Sequence, residues 1–290
     1  MDLRALLVDA TARLAGAGVP SPRVDAQEIA SFVLGIPRER LILHSGDEIS
    51  AEQGDEIASL LERRAAREPL QHIVGAAPFG PLSLAVGPGV FIPRPETEVL
   101  ADWASRELRR LEDTPGRSAA PVVVDLCTGS GALAAFLADA HPAARIVAVE
   151  LDPVARRWAA RNLPERVELV AGDVTRREWI DQCPGLAGAV DLVVSNPPYV
   201  PASARADLPP EVHADPDRAV FSGEDGMDVI TALPDVLDTL LKPGGILGIE
   251  HDDSTAAACR ELFAADPRWT DVRSLADLSG RDRFVIAGKL

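Results

Sequence analysis

Cysteine is scarce in this chain of 290 residues. The three present, Cys127, Cys183 and Cys259, show neither a pairing pattern nor metal-ligand spacing. A disulfide-stapled scaffold is therefore excluded, and a reduced, intracellular protein is expected. Aromatics are also few: seven Phe, four Trp and a single tyrosine, Tyr199. No run of about 18 apolar residues is available to cross a membrane. The first segment, MDLRALLVDATARL, carries Asp2, Arg4 and Asp9, unlike a secretory signal. Positive charge is outweighed, with 29 basic against 45 acidic side chains and a net charge of −16. That balance excludes a general nucleic-acid binder, which needs Lys and Arg to displace counterions from phosphates. The five histidines, at 44, 72, 141, 213 and 251, include no two at ligand spacing, so no metal is predicted. There is no internal repeat and no low-complexity tract. The expectation is a soluble cytoplasmic protein with a substantial core, built as one large domain plus a smaller one.

The smaller domain is assigned to residues 1–75, which read as short helices. Leu3, Leu6, Leu7 and Leu14 share a helical face that Gly16 and Gly18 terminate. Ser21-Pro22 offers an N-cap with Pro at the first helical position, and Val24, Ile29, Phe32 and Val33 are the apolar positions behind it. Gly35 and Pro37 stop that helix. Ser50 with Gln53 has the capping-box spacing, ahead of Ile57, Leu60 and Leu61, with Arg63, Arg64 and Arg67 at the C-terminal end. Nothing here looks catalytic, so the segment is either structural or a partner-binding surface. Residues 76–94 form a linker: Leu82, Leu84 and Val86, then Gly87-Pro88-Gly89, then Val90, Phe91 and Ile92 read as a β-hairpin. A helix is expected from Pro95 to Leu111, and Glu112 to Ala120 reads as an exposed connector.

The remainder of the 95–290 domain is α/β. Short apolar runs at Val122–Leu126, Ile146–Val149, Val167–Val170, Leu192–Val194, Ile246–Ile249 and Phe284–Ala287 lie between segments of helix length or more. Such runs read as buried parallel strands. The first runs directly into Cys127-Thr128-Gly129-Ser130-Gly131 and then a helix over Ala132–Ala140. Glycines there permit a sharp turn and close ligand approach, and the helix N-terminus offers free N–H groups. The second strand ends at Glu150, placed to accept hydrogen bonds from both ribose hydroxyls of an adenosine. The third ends at Gly172-Asp173, where a carboxylate can receive an adenine amino group. A dinucleotide and S-adenosylmethionine both suit this order of elements. A dinucleotide turn wants a third glycine, whereas Ala132, Leu133 and Ala134 follow here, so S-adenosylmethionine is the better candidate.

The fourth strand ends in Asn196-Pro197-Pro198-Tyr199. This tetrapeptide suits a planar NH₂ group. Asn196 has a side-chain carbonyl to accept one N–H, and the Pro197 carbonyl can accept the other. Pro197 and Pro198 stiffen the backbone, and Tyr199 offers a flat face for stacking. Holding both hydrogens directs the nitrogen lone pair toward an electrophilic methyl. Arg94-Pro-Glu-Thr-Glu98 either closes over such a site or caps the helix that follows; Glu96 and Glu98 in the first turn fit the second. His251, after a strand ending in Glu250, is read as structural. The cysteines are read as packing residues.

Asp125–Gly131 together with Asn196–Tyr199 resembles the class I methyltransferases that act on exocyclic or amide nitrogen, and most closely the HemK-type release-factor glutamine N5-methyltransferases. The resemblance spans almost the whole chain: Glu68-Pro-Leu-Gln-His-Ile-Val-Gly75, Phe79-Gly80, Phe91-Ile-Pro-Arg-Pro-Glu-Thr-Glu98, Gly223-Glu-Asp-Gly226, Pro243-Gly-Gly245, Glu250-His251 and Gly280-Arg-Asp-Arg283. It implies a Rossmann-like fold with a mostly parallel seven-stranded sheet, preceded by a small helical domain and a β-hairpin. It also implies methyl transfer from S-adenosylmethionine to the glutamine of the Gly-Gly-Gln loop of class 1 peptide chain release factors. A monomer is expected, with the helical domain as the docking surface for the release factor. Cofactor contacts carry over to Cys127, Thr128, Gly129, Ser130, Gly131, Glu150, Asp173, Val174 and Asn196; catalysis to Asn196, Pro197 and Tyr199; and substrate binding to Asn196, Pro197, Pro198 and Tyr199. Cys127 stands where this family usually has Gly, and His72 where it usually has an aromatic. Glu211-Val-His-Ala-Asp-Pro216 is a weaker match to the loop after Asn-Pro-Pro-Tyr. The rivals are an adenine-N6 DNA or RNA methyltransferase, which also uses Asn-Pro-Pro-Tyr, a ribosomal-protein glutamine methyltransferase, and a binding protein that has lost turnover. Residues 121–290 hold 16 basic and 27 acidic side chains, a net charge of −11, which weighs against the nucleic-acid rival.

Overall fold

The computed structural model describes residues 2–115 and 119–290, so Gly116 to Ser118 of the expected connector lie outside the described residues. The chain divides into two compact units. The first comprises residues up to Ala76 together with Pro209–Ala214, and the second comprises Ala77–Leu208 and Asp215–Leu290.

The first unit is helical: α1 (Leu3–Gly16), α2 (Pro22–Leu34), a 3₁₀ turn over Arg38–His44, α3 (Ala51–Ala65) and α4 (Leu70–Val74). Leu3, Leu6, Leu14, Ile29, Leu41, Ile57 and Leu61 form its core. The capping box at α3 is complete, with Gln53 N–H donating to Ser50 Oγ and Ser50 N–H to Gln53 Oε1, both at 3.2 Å. The expected cap at α2 is not made, because Ser21 offers no side-chain hydrogen bond. Val24 and Phe32 also depart from expectation, being 36% and 50% exposed. The buried face of α2 is Asp25, Ala26, Ile29 and Ala30, and the 100° step of a helix places Val24 opposite it and Phe32 at its edge.

The arginines at the end of α3 do more than complement the helix dipole. Arg64 Nε donates to Asp25 Oδ2 at 2.7 Å and Nη2 to Glu211 Oε1 at 2.9 Å. Arg67 donates to both Glu211 oxygens, at 2.8 and 2.7 Å. The two guanidinium groups hold the Glu211 carboxyl down at about 2.

The second unit opens within β1 (Ala76–Phe79), which forms with β2 (Leu82–Ala85) a hairpin turning at Gly80-Pro81. The hairpin expected across Gly87-Pro88-Gly89 is not formed. Val86, Val90 and Ile92 are instead buried against Ala77, Ala155 and Trp158. A Cβ at Gly87 would stand 2.6 Å from the Trp158 ring, so this segment lies flat on a helix rather than folding back on itself. The Ile92 N–H goes to Asp215 Oδ1 at 3.1 Å instead of to a ladder.

After α5 (Thr97–Glu112) come β3 (Val122–Leu126), α6 (Ala132–Ala140), β4 (Arg145–Glu150), α7 (Pro153–Asn162), β5 (Glu168–Ala171), β6 (Val190–Ser195), α8 (Asp217–Val220), α9 (Asp228–Leu240), β7 (Leu241–Glu250), α10 (Ala256–Ala264), β8 (Trp269–Ala276) and β9 (Asp282–Lys289). The seven-stranded sheet has the order β5-β4-β3-β6-β7-β9-β8. Every pairing from β5 to β7 is parallel, and β9 runs antiparallel to both β7 and β8. One face packs Val124, Val147, Val193 and Leu247 against Leu233, Leu237 and Phe263. The other packs Val123, Ala148, Leu192, Val194 and Phe284 against Leu100, Ala104 and Leu137. This three-layer arrangement is the Rossmann-like architecture expected. Because β3 is followed outward by β4 on one side and β6 on the other, the carboxyl ends of β3, β4 and β6 border the crevice where such folds bind ligands.

Candidate active site

The loop from Cys127 to Gly131, Glu150, Asp173 and Asn196–Tyr199 each lie at or just beyond the carboxyl end of a strand. The loop after β3 is shaped by Asp125, whose Oδ2 accepts Thr128 Oγ1–H at 2.5 Å and the Ala134 N–H at 3.1 Å. Burial pushes the Asp125 carboxyl up to about 7. Cys127, Gly129 and Gly131 all adopt left-handed φ, of 60°, 58° and 86°. A Cβ on Gly131 would press Leu163 at 3.1 Å, whereas one on Gly129 would meet nothing nearer than 3.9 Å, so the loop is open at Gly129. Asn162 fastens the loop to the hairpin, donating from Nδ2 to the Ser130 carbonyl at 2.8 Å and to the Ala85 carbonyl at 3.0 Å.

Glu150 closes the other side of this loop. Its Oε2 accepts the Gly129 N–H and its Oε1 the Asp152 N–H, both at 2.8 Å. A carboxylate offers about four acceptor positions, so these bonds leave Glu150 capacity for further donors. Asp173 is committed locally: Oδ1 caps a turn by accepting Thr175 N–H at 3.0 Å and Thr175 Oγ1–H at 2.6 Å. Val174 is buried in the core beside Trp179.

At the end of β6, Ser195 Oγ donates to the Leu126 carbonyl at 2.8 Å and ties this strand end to β3. Asn196 and Tyr199 are partly buried and Pro197 fully so. Gly226 (φ 83°) packs on the Tyr199 carbonyl so tightly that any side chain there would collide with it. Asn196 Nδ2 donates to Thr97 Oγ1 at 3.0 Å, which in turn donates to Glu250 Oε2 at 2.7 Å. Tyr199 donates its hydroxyl to Glu250 Oε1 at 2.8 Å. Burial and the adjacent Glu250 push the Tyr199 phenol well above its ordinary value. Burial likewise raises Glu250 to about 7.

The structure therefore assembles two clusters: the β3 loop with Glu150, and Asn196 with Pro197, Pro198 and Tyr199. Thr97 and Glu250 are partners that the sequence reading did not assign. Arg94-Pro-Glu-Thr-Glu98 contributes Thr97 to the second cluster, while Glu96 makes no side-chain cap on α5. His251 is fully buried with Nδ1 2.8 Å from the Asp252 carbonyl, consistent with its structural reading. The Cys127 thiol is raised well above its ordinary value by burial and by Glu150, which disfavours the thiolate. Cys183 and Cys259 are buried, and all three cysteines are free.

Among the described residues, no group of three or more His, Cys, Asp and Glu is placed to hold a metal, and no helix is long and apolar enough to cross a membrane. The description of the PrmC N-terminal domain matches residues 5–75, and that of the methyltransferase small domain matches residues 99–209. The chain is 52% identical over 293 residues to the release factor glutamine methyltransferase of Corynebacterium glutamicum, covering 100% of both. It is 47% identical to that of Mycolicibacterium smegmatis, covering 99% of this chain and 98% of the relative. The catalytic domain of hMettl16, solved in complex with the MAT2A 3′UTR hairpin 6, superimposes with a TM-score of 0.52 at 15% identity, covering 83% of this chain and 82% of that one. That last similarity is one of fold.

Proposed function

Because the chain belongs to the release factor glutamine methyltransferase family, we propose that it methylates the side-chain amide nitrogen, N5, of the glutamine in the Gly-Gly-Gln loop of class 1 peptide chain release factors. The observation that carries this reading is the Asn196 amide. Its nitrogen is held by Thr97, so Oδ1 lies on the opposite side of the group and is presented as an acceptor. An amide NH₂ has two hydrogens to place, and Asn196 Oδ1 accepts one while the Pro197 carbonyl accepts the other. Pro197 and Pro198 stiffen the backbone that carries these acceptors. Tyr199, anchored at its hydroxyl by Glu250, offers its ring to the planar amide. An amide nitrogen is a poor nucleophile because its lone pair is delocalised. Two fixed acceptors orient the nitrogen in a near-attack geometry and lower the barrier without a strong base.

S-adenosylmethionine is the proposed cofactor, and when bound it supplies an electrophilic methyl group. The residues present fit it: Glu150 keeps acceptor capacity for ribose hydroxyls, and the loop is open at Gly129. Cys127, Thr128, Ser130 and Gly131 complete the loop wall. Asp173 and Val174 are assigned to the adenine side, although the Asp173 side chain also caps its own turn.

The helical unit is proposed as the docking surface for the release factor. Val8, Ile42 and Leu43 on it are 67%, 73% and 78% exposed, which leaves these apolar side chains available to a partner. The protein is proposed to act as a cytoplasmic monomer with no direct nucleic-acid or membrane partner. The net charge of −11 over residues 121–290 supports the exclusion of nucleic acid.

The test is incubation with labelled S-adenosylmethionine and a release factor, the same factor with its loop glutamine replaced by alanine, a ribosomal-protein preparation, or duplex DNA. Label is expected in the intact release factor alone. Equal label in the glutamine-less factor, or label in DNA, overturns the proposal.

A further inference from the structure

Thr97 and Glu250, linked to Asn196 through the Thr97 hydroxyl, are almost fully buried, at 3% and 1% exposure. They are 153 residues apart in sequence, and nothing in the proposed reaction uses them directly. Their hydrogen bonds nevertheless run in one direction. A carboxylate only accepts, so ionised Glu250 must receive hydrogens from both neighbours, Thr97 Oγ1 at Oε2 and Tyr199 Oη at Oε1. Thr97 has a single hydroxyl hydrogen, and Glu250 claims it. Toward Asn196, then, Thr97 can act only as an acceptor, and the asparagine must turn its NH₂ group, not its oxygen, to Thr97.

We propose that Thr97 and Glu250 are positioning residues that select the rotamer of the Asn196 amide, so that Oδ1 rather than Nδ2 faces the acceptor. This inference rests on the methyltransferase reading above. An asparagine side chain is nearly symmetric in shape, so packing alone leaves its two flipped forms close in energy. In the flipped form NH₂ would confront NH₂, and the clamp on the substrate amide would be lost. While Glu250 is ionised the relay removes this ambiguity, and the same carboxylate anchors Tyr199 across the site. When Glu250 is protonated it can donate to one neighbour, and the direction of the relay is no longer unique. The charged groups around it are Arg283, paired with Asp252 and Asp277, and Glu96 at the start of α5; His251 follows it in the chain, buried and held below its ordinary value.

Two substitutions and one spectroscopic readout test the proposal. Thr97→Val keeps the shape but removes both hydrogen-bonding roles, whereas Thr97→Ser keeps both. Thr97→Val is expected to lower kcat by about tenfold or more, with KM for the release factor and Kd for S-adenosylmethionine within about twofold of wild type. Thr97→Ser is expected to recover most of that loss. Tyr199 is the single tyrosine, so protein labelled with ¹³C at the tyrosine Cζ gives one resonance that reports on Glu250 without any methyl acceptor. That resonance is expected to shift in Glu250→Gln. A Thr97→Val enzyme with kcat within about twofold of wild type, a Thr97→Ser enzyme as impaired as Thr97→Val, or a Tyr199 resonance unmoved by Glu250→Gln overturns the relay. A wild-type enzyme that leaves the release factor unlabelled would instead overturn the assigned substrate, and the tyrosine signal would still report on the relay.

Discussion

Gly129 donates its backbone N–H to the Glu150 carboxylate at 2.8 Å, so the glycine loop after β3 and the acid that ends β4 form one hydrogen-bonded unit. Glu150 therefore shapes the loop, in addition to the ribose contact proposed for it. Glu150→Ala is expected to weaken S-adenosylmethionine binding by about tenfold or more, since ribose acceptors and loop order are lost together. Isothermal titration calorimetry checks this; an unchanged Kd would remove Glu150 from the cofactor site.

Asn196 should divide chemistry from binding. Asn196→Ala is expected to reduce methyl transfer by about a hundredfold or more, the scale on which loss of one preorganised polar group in a catalytic site is felt. Cofactor binding should weaken only modestly. Single-turnover assays alongside calorimetry separate the two, and undiminished turnover would refute the amide clamp.

The ion cluster of the helical unit sets an acid limit on stability. Glu211 titrates at about 2 in the folded protein against an ordinary 4.5. A lowered carboxylate pKa contributes stability that is complete above the ordinary value and is lost as pH falls toward the folded one. The decline is therefore expected between roughly pH 4.5 and pH 2, and Glu211→Gln should flatten it. Arg64→Ala is expected to cost more, about 3–5 kcal/mol, because it leaves Asp25 buried without its partner. Urea midpoints at pH 7 and pH 3, followed by hydrogen exchange in α3, read both effects.

Glu250 carries the opposite sign. Its folded value of about 7 lies above the ordinary 4.5, so the folded state binds the extra proton and stability falls as pH rises through that window. Asp125, also at about 7, adds to the same slope. Glu250→Gln should lose less stability than wild type between pH 5 and pH 8, a difference of the order of 2–3 kcal/mol, while its turnover drops. Thermal melts at the two pH values check it; a steeper loss in the variant would contradict the buried-charge account.

Cys127 holds φ at 60° without being glycine, and side chains in that region are strained by about 1 kcal/mol. Cys127→Gly relieves the strain but loosens the unfolded chain and gives up packing. The expected net change is within about 1 kcal/mol of zero, with cofactor affinity retained. A loss of several kcal/mol would show that the thiol has a structural part to play.

What could be read from the sequence was whatever is local. The β3 run with its glycine turn, Glu150 at the next strand end, and Asn196–Tyr199 are each contiguous, and their order places them along one edge of the sheet. The β8 strand was not visible as an apolar run, because Trp269–Ala276 lies at the sheet edge and buries only Trp269 fully. The hairpin was read a few residues late, since Val90 and Ile92 are apolar for packing on α7 and not for pairing. Thr97 and Glu250 stand within the Phe91–Glu98 and Glu250-His251 segments, yet the hydrogen bond between them depends on how α5 meets the end of β7. Glu211 with Arg64 was illegible for the same reason, at a separation of 147 residues.

The membership of Pro209–Ala214 in the helical unit has a consequence for how this protein can be taken apart. A fragment ending at Ala76 would keep Arg64 and Arg67 but leave Glu211 behind, so the unit is not a transferable cassette. Exchanging it with that of a relative requires three cuts in the chain, after Ala76, before Pro209 and after Ala214, and the second of them falls at Pro209, only ten residues beyond Tyr199. Any drift in the helical unit that reshapes its arginine pair must therefore be answered in the loop that follows Asn196–Tyr199.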